Sequence, residues 1–289
     1  MAKQSCSLAY KISGLPISNA MQAFCVADDG KYVYVAQNHN KYKDVYISRC
    51  EINGTTATYK DHMIICDSGH TQILDSYVYG GKTYLWVGLK AYTKTAMRPW
   101  ATQVGRVEYV AGKKYGNVNS ISRITGVTSL RCESAISPDR TVFVLLLEST
   151  AKNWCYYVLP LNKINSVFDS NKTMSFDNIK RYKIVYKKDA SKGAKIKAAL
   201  PNSSMQGLTL QNNYNHLYFI GGAIGDKPKI NKIKTSNSEV SKTVTLTHND
   251  FNKHTEVENI QLTSDCIYVG VNNKKLSSYE NRIYKTNKF

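Results

Sequence analysis

Apolar and polar residues alternate along this chain in short runs, and Asn, Asp or Gly breaks each run before it reaches helical length. Five stretches share one order: a polar Gln or Glu, an alternating strand, a turn, then a second, aromatic-rich strand. They are MQAFCVADDGKYVYVAQ (21–37), TQILDSYVYGGKTYLWVG (71–88), CESAISPDRTVFVLLLE (132–148), MQGLTLQNNYNHLYFIGG (205–222) and VENIQLTSDCIYVGVNN (257–273). Each predicts a hairpin, with turns at Asp28-Asp29-Gly30, Gly80-Gly81, Ser137-Pro138-Asp139, Asn212-Asn213 and Ser264-Asp265. A third strand follows every hairpin: VYISRCEI from Val45, TQVGRVEYV from Thr102, WCYYVLPLNKI from Trp154, INKIKT from Ile230 and NRIYKT from Asn281.

Three to four strands recurring at roughly 50 to 75 residues match the dimensions of a propeller blade. The pattern therefore predicts an all-β chain folded as one five-bladed β-propeller domain over residues 1–289. The last copy is short of an outer strand, and SLAYKI (7–12) is available to pair with it and close the ring. A β-sandwich also gives short strands at regular spacing, but it offers no reason for every unit to open on Gln or Glu.

Composition agrees with strands: there are 21 Tyr, only 6 Pro, and 42% hydrophobic residues, enough for a sizeable core. Seven cysteines, scattered without CxxC pairs and mostly inside strand-like runs, predict buried thiols in place of a disulfide framework. No apolar run of spanning length occurs, and the first twenty residues hold no apolar core of signal-peptide length, which leaves the export route open.

The formal charge of +18 changes the picture, because it calls for a polyanionic partner. Of the 39 basic residues, 31 are Lys, a hydrated point charge suited to non-specific attraction and ill suited to forked reading of bases. A teichoic-acid wall or an anionic lipid surface fits better than a chosen nucleic-acid sequence. Lys180–Lys197 concentrates eight basic residues against Asp189 and reads as a solvated loop that speeds such an encounter.

In a propeller the first strand of each blade faces the central channel, so Gln22, Gln72, Glu133, Gln206 and Glu258 should form a ring. Such a ring is stable only if its groups are hydrogen-bonded to one another or to neighbouring backbone, hydrated, or bound to an ion. With two carboxylates and three amide oxygens it offers hard ligands, so calcium or another cation in the channel is an expectation, with Glu133 and Glu258 as metal ligands. Two residues earlier, on the same face, lie Ala20, His70, Arg131, Ser204 and Glu256, with His254 nearby, and these predict a binding mouth. Glu133 and Glu258 are also the candidate catalytic pair if the chain hydrolyses glycans, since glycosidases need two carboxyls about 5 to 9.5 Å apart. Tyr92, Trp100, Tyr115 and Trp154 are the aromatic candidates for stacking on sugars or packing between blades. The motifs GxxxxGK[ST], HExxH and GxSxG do not occur.

On five stretches the chain resembles the helveticin J family of class III bacteriocins: GHTQ (69–72), WATQVGRVEYV (100–110), CESAISPDRTVFVLLLES (132–149), SMQG (204–207) and KHTEVENIQL (253–262). They run from the second predicted blade to the last, in the family's order. One departure stands out, since the family pattern has His-Ala-Glu where this chain has Arg131-Cys132-Glu133, so no role of that histidine transfers. The resemblance implies an extracellular protein that kills or lyses related bacteria; joined to the charge and the repeat, it leads to the expectation of a monomeric propeller that binds the anionic envelope of Gram-positive competitors. A wall-glycan hydrolase and a non-lethal surface lectin are the alternatives.

Overall fold

The structure, a computed structural model, describes residues 2–92, 99–126, 129–149, 154–170, 173–179, 186–188, 193–275 and 278–289. The chain opens with β1 (Ala2–Ser5) and β2 (Ser7–Ser13) and then forms a first antiparallel ladder, β3 (Met21–Val26), β4 (Tyr32–His39), β5 (Asp44–Asn53) and β6 (Thr56–Ile65). The second ladder is β7 (Leu74–Tyr79), β8 (Lys82–Ala91) and β9 (Ala101–Glu108). Beyond it, β10 (Lys114–Tyr115) pairs with β6 and β11 (Ser122–Thr125) with β9. The third is β12 (Ser129–Ile136), β13 (Val142–Ser149) and β14 (Trp154–Pro160).

After the third ladder come helix α1 (Leu161–Ser170), β15 (Thr173–Ser175) on β11, helix α2 (Phe176–Ile179), β16 (Tyr186–Lys188) on β14, and helix α3 (Gly193–Ala198). The fourth ladder is β17 (Gly207–Leu210), β18 (His216–Gly221), β19 (Lys229–Lys234) and β20 (Val240–Thr247), flanked by β1 in parallel. The fifth is β21 (Thr255–Leu262), β22 (Ile267–Lys274) and β23 (Tyr279–Thr286), completed by β2.

The predicted hairpins are thus the first two strands of each ladder, and the N-terminal run pairs with the last ladder, Leu8 opposite Tyr284 and Lys11 opposite Arg282. Two expectations need correction. The five ladders do not make five separate sheets, because β2 also pairs in parallel with β6 and fuses the fifth and first ladders into one nine-stranded sheet. A strand with both edges satisfied leaves neither neighbour open to solvent. Helix α1 begins inside the run assigned to a third strand. Its buried Leu161, Ile164, Asn165 and Phe168 follow helical spacing over under three turns. Asn165 then accepts from Tyr77 Oη at 2.6 Å and Arg106 Nη1 at 3.0 Å, pinning the helix to the second ladder.

Burial explains why the ladders stay together. Five apolar clusters each lie between consecutive ladders: Ile47 and Leu85 between first and second, Trp86 and Phe143 between second and third, Tyr156 and Phe219 between third and fourth, and Ile230 and Val269 between fourth and fifth. Phe24, Val35 and Ile283 close the fifth onto the first. The first strands touch in the cyclic order β3, β7, β12, β17, β21 and back to β3.

At the hairpin-turn end, each contact in this cycle carries a polar latch. Cys25 Sγ lies 3.1 Å from Ser76 Oγ, Ile136 N donates to Asp75 (3.1 Å), Asp139 N to Asn212 (3.1 Å), Leu262 N to Thr209 (3.3 Å), and Val26 N to Gln261 (2.8 Å). All seven cysteines are free, and Cys25, Cys50, Cys132 and Cys155 are buried. Among the described residues no helix is long and apolar enough to cross a membrane.

Candidate functional site: a cavity where the first strands converge

Four of the five ring residues, Gln22, Gln72, Gln206 and Glu258, meet where the first strands converge. The local backbone explains how they reach one another. In β3 and β21 the pairing slips beside Gln22 and Glu258, and Asn259 takes a positive φ of 67°; Gln72 and Gln206 sit just before their strands. An interrupted ladder frees these side chains to reach one another across the first strands. Gln22 Nε2 donates to Glu258 Oε1 at 3.2 Å, Gln72 Nε2 to Glu258 Oε2 at 3.3 Å and to Gln206, and Gln206 Nε2 to Glu256 at 3.2 Å.

Glu133 is held differently. Arg131 Nε donates to Glu133 Oε1 at 2.6 Å, while Arg131 Nη2 reaches Gln72 and the Met205 carbonyl (3.0 Å). Glu133 is 1% exposed and Arg131 6%. Burial pushes the Glu133 carboxyl upward, and Arg131 with the Gln72 backbone N–H pulls the other way. The guanidinium also stacks 3.9 Å from the Trp100 ring. Through these contacts on Nε, Nη2 and the guanidinium face, Arg131 acts as the hub that ties three ladders together.

Above the ring opens a cavity of about 480 Å³. Gln22, Gln72, Gln206, Glu258 and Glu256 form its polar floor; His70, Trp100, Tyr42 and Tyr279 supply rings; Asn19, Ala20 and Asn38 to Tyr42 come from the first ladder; Ile224 and Lys274 stand at its edge. His70 stacks on Trp100 with centroids 4.2 Å apart, and its Nε2 lies 2.5 Å from Gln22 Oε1. This pairing follows from the backbone, because the segment at His70 bridges the one at Trp100. Gly69 permits that approach: its φ is +84°, and a Cβ there would lie 2.8 Å from Ala101 N. Tyr42 tilts over His70 at 5.1 Å and sits in a turn where Asn40, Lys41 and Tyr42 all have positive φ, an arrangement that costs energy for non-glycine residues. Burial first, then the adjacent Glu256, pushes the Tyr279 phenol upward.

The structure therefore brings Gln22, Gln72, Gln206, Glu258, His70 and Glu256 to one cavity, while Glu133 and Arg131 lie behind it and do not line it. His254 is exposed on the turn before β21, outside the cavity, and Ser204 is likewise not part of its wall. Among the aromatic candidates Trp100 lines the cavity, Trp154 is buried behind it with its ring 5.9 Å from the Arg131 guanidinium, Tyr115 is buried away from it, and Tyr92 lies outside it. No group of three or more His, Cys, Asp and Glu side chains among the described residues is placed to hold a metal ion. Glu133 is neutralised by the buried guanidinium of Arg131, which also reaches Gln72 and would repel a second cation beside it, so the donor set does not fit the cation expected in the channel. Sequence reasoning passed over Tyr42, Tyr279, Asn38, Lys41 and Lys274. The run Asn38-His39-Asn40 is a turn signal, but nothing in it marks a cavity wall. Most of Lys180–Lys197 lies outside the described residues.

The chain is similar in fold to the tail fibre of Staphylococcus aureus phage P68, with a TM-score of 0.68 at 11% identity over 99% of this chain and 53% of that one. It is also similar to an exo-β-1,3-galactanase from Phanerochaete chrysosporium solved with galactose, with a TM-score of 0.51 at 11% identity over 97% of this chain and 64% of that one. The chain thus spans about half the tail-fibre chain and under two thirds of the galactanase. At such identities the likeness is one of fold, and these neighbours are β-propeller-like. No curated protein sequence matches the chain. The sequence pattern of the bacteriocin helveticin-J family, by contrast, runs through residues 4–289, and this chain belongs to that family.

Proposed function

We propose that this protein is a secreted antibacterial protein that recognises glycan on the anionic envelope of related Gram-positive bacteria and kills or lyses them. In this reading it is a monomeric, single-domain five-bladed propeller. The cyclic order of the first strands, the five inter-ladder clusters and the five polar latches support the five-bladed propeller part of that description.

One observation carries the recognition: the cavity combines flat amide and carboxylate groups with ring faces. Planar polar side chains pair with adjacent sugar hydroxyls, and aromatic faces cover the C–H side of the ring. Gln22, Gln72, Gln206, Glu256, Glu258, His70 and Trp100 are the proposed binding residues. Arg131 and Glu133 hold them in place. The family adds the antibacterial role.

Hydrolysis is the second reading, because the galactanase with galactose shares the architecture. Geometry favours binding over cleavage. Glu258 reaches the cavity but Glu133 does not, and Arg131 and Gln72 stand between them, so the pair does not flank a common substrate.

Adding purified protein to susceptible cells while following viability, turbidity and soluble reducing sugar tests the three readings together. The proposal expects viability to fall without release of sugar. Sugar release that stops in Glu258→Gln would establish a hydrolase, and binding with undiminished viability would establish a lectin.

A further inference from the structure

The cavity is electrically divided, and the division says what the sugar is attached to. Its floor holds the carboxylates Glu256 and Glu258, whereas its lip carries two exposed cations, Lys41 from the turn after β4 and Lys274 at the end of β22. These lips belong to neighbouring ladders, since Asn272 Nδ2 donates to Met21 O at 2.8 Å across the same junction. Like most described lysines of this +18 chain, Lys41 and Lys274 have no carboxylate partner among the described residues; what sets them apart is that they are the lysines lining the cavity. Lys41 is moreover held in a left-handed turn that Asn40 Nδ2 and Asp67 N pin to Asp44, at 3.1 Å each. A neutral oligosaccharide could accept hydrogen bonds from the two lysines at the lip but would leave their charge uncompensated. A free phosphate would meet repulsion from the carboxylates below.

We propose that the cavity takes a sugar borne on a phosphodiester polymer, the sugar on the carboxylate and amide floor and the phosphate between Lys41 and Lys274. This rests on the cavity being the glycan site. The ligand class is a glycosyl-substituted polyol phosphate, whose neutral ring and flanking anion match the floor and the lip in turn.

The test uses the full chain and three purified probes: a glycosylated poly(glycerol phosphate), the same polymer stripped of its sugars, and the glycosyl-glycerol fragment freed of phosphate. Binding is measured at physiological salt for the unmodified protein, for Lys41→Gln/Lys274→Gln, and for Lys3→Gln/Lys31→Gln, which removes equal charge elsewhere. The lip variant should bind the glycosylated polymer about tenfold more weakly, the scale of two partly exposed ion pairs, yet bind the phosphate-free fragment as before. The control variant should change little. Equal losses in both variants would make the attraction a bulk property of the +18 charge and overturn the proposal. A lip variant that binds the fragment more weakly, or a stripped polymer that binds as well as the glycosylated one, would overturn it too. If the unmodified protein fails to bind even the fragment, the cavity is not a glycan site and both readings fall together.

Discussion

At the scale of single residues, the buried charges divide into those that shape the site and those that join the ladders. Arg131 is of the first kind. It carries Glu133, Gln72 and the Trp100 face at once, so an Arg-for-Lys exchange would forfeit both the fork and the stack. Asp75 is of the second kind. It latches β7 to β12 near Arg140, and burial pushes its carboxyl up to about 6 despite the pull of Arg140 and the Ile136 N–H. A folded-state pKa above the ordinary value means that the neutral acid is the form the fold prefers. Its contribution is therefore whole below about pH 4 and is lost as pH rises through about 6. Asp75→Asn keeps an acceptor for Ile136 N and cannot ionise. The variant should gain on the natural protein by on the order of 2 kcal/mol between pH 4 and pH 7, measured by denaturant unfolding. A difference that stays flat across that range would show that Asp75 does not titrate there.

At the scale of elements, the interrupted first strands matter more than the regular ones. Glu258 and Asn259 leave the ladder, Asn259 N donates to Gln206 O at 2.8 Å, and Asn259 Nδ2 donates to Phe24 O at 3.1 Å, so one irregular stretch of β21 reaches both neighbouring ladders. Gly270 on β22 makes room for it: a Cβ at that position would lie 2.1 Å from Glu258 O. Gly270→Ala should cost on the order of 3 kcal/mol in unfolding free energy, because backbone and not a flexible side chain must move. It should also weaken glycan binding, since Glu258 is displaced with its carbonyl. An alanine variant of natural stability and affinity would show that β21 and β22 separate more easily than their packing implies.

At the scale of the whole molecule, charge and shape have separate tasks. In the proposed reading the +18 balance acts over long distances and sets how often the protein meets an anionic wall, while the cavity sets what it holds on arrival. Binding to isolated walls should accordingly fall steeply between low ionic strength and about 0.15 M, where the Debye length shrinks to about 8 Å, and a pull-down across a salt series checks it. Walls bound equally at every salt concentration would leave shape as the whole of recognition.

What the sequence determined by itself was whatever depends on near neighbours along the chain. Period-two alternation and Gly, Asn and Asp turns placed all five hairpins, and the recurring Gln or Glu marked Gln22, Gln72, Gln206 and Glu258 as residues that share the floor. Repetition made this possible, because equivalent positions of a repeat tend to occupy equivalent places. Where repetition ends, so did legibility. The parallel pairing of β2 with β6 leaves no trace in either strand's pattern, and α1 is too short for its spacing to stand out from a strand. Glu133 shares the ring's position in the repeat but not its environment, because Arg131 two residues earlier on the same strand turns back to claim it. The cavity itself was decided by tertiary structure alone: Tyr42, Trp100 and Tyr279 come from three separate loops and strand ends, and only closure of the last ladder onto the first sets Tyr279 opposite Tyr42. Contacts between residues so distant along the chain are fixed by how whole ladders pack, which no local period encodes.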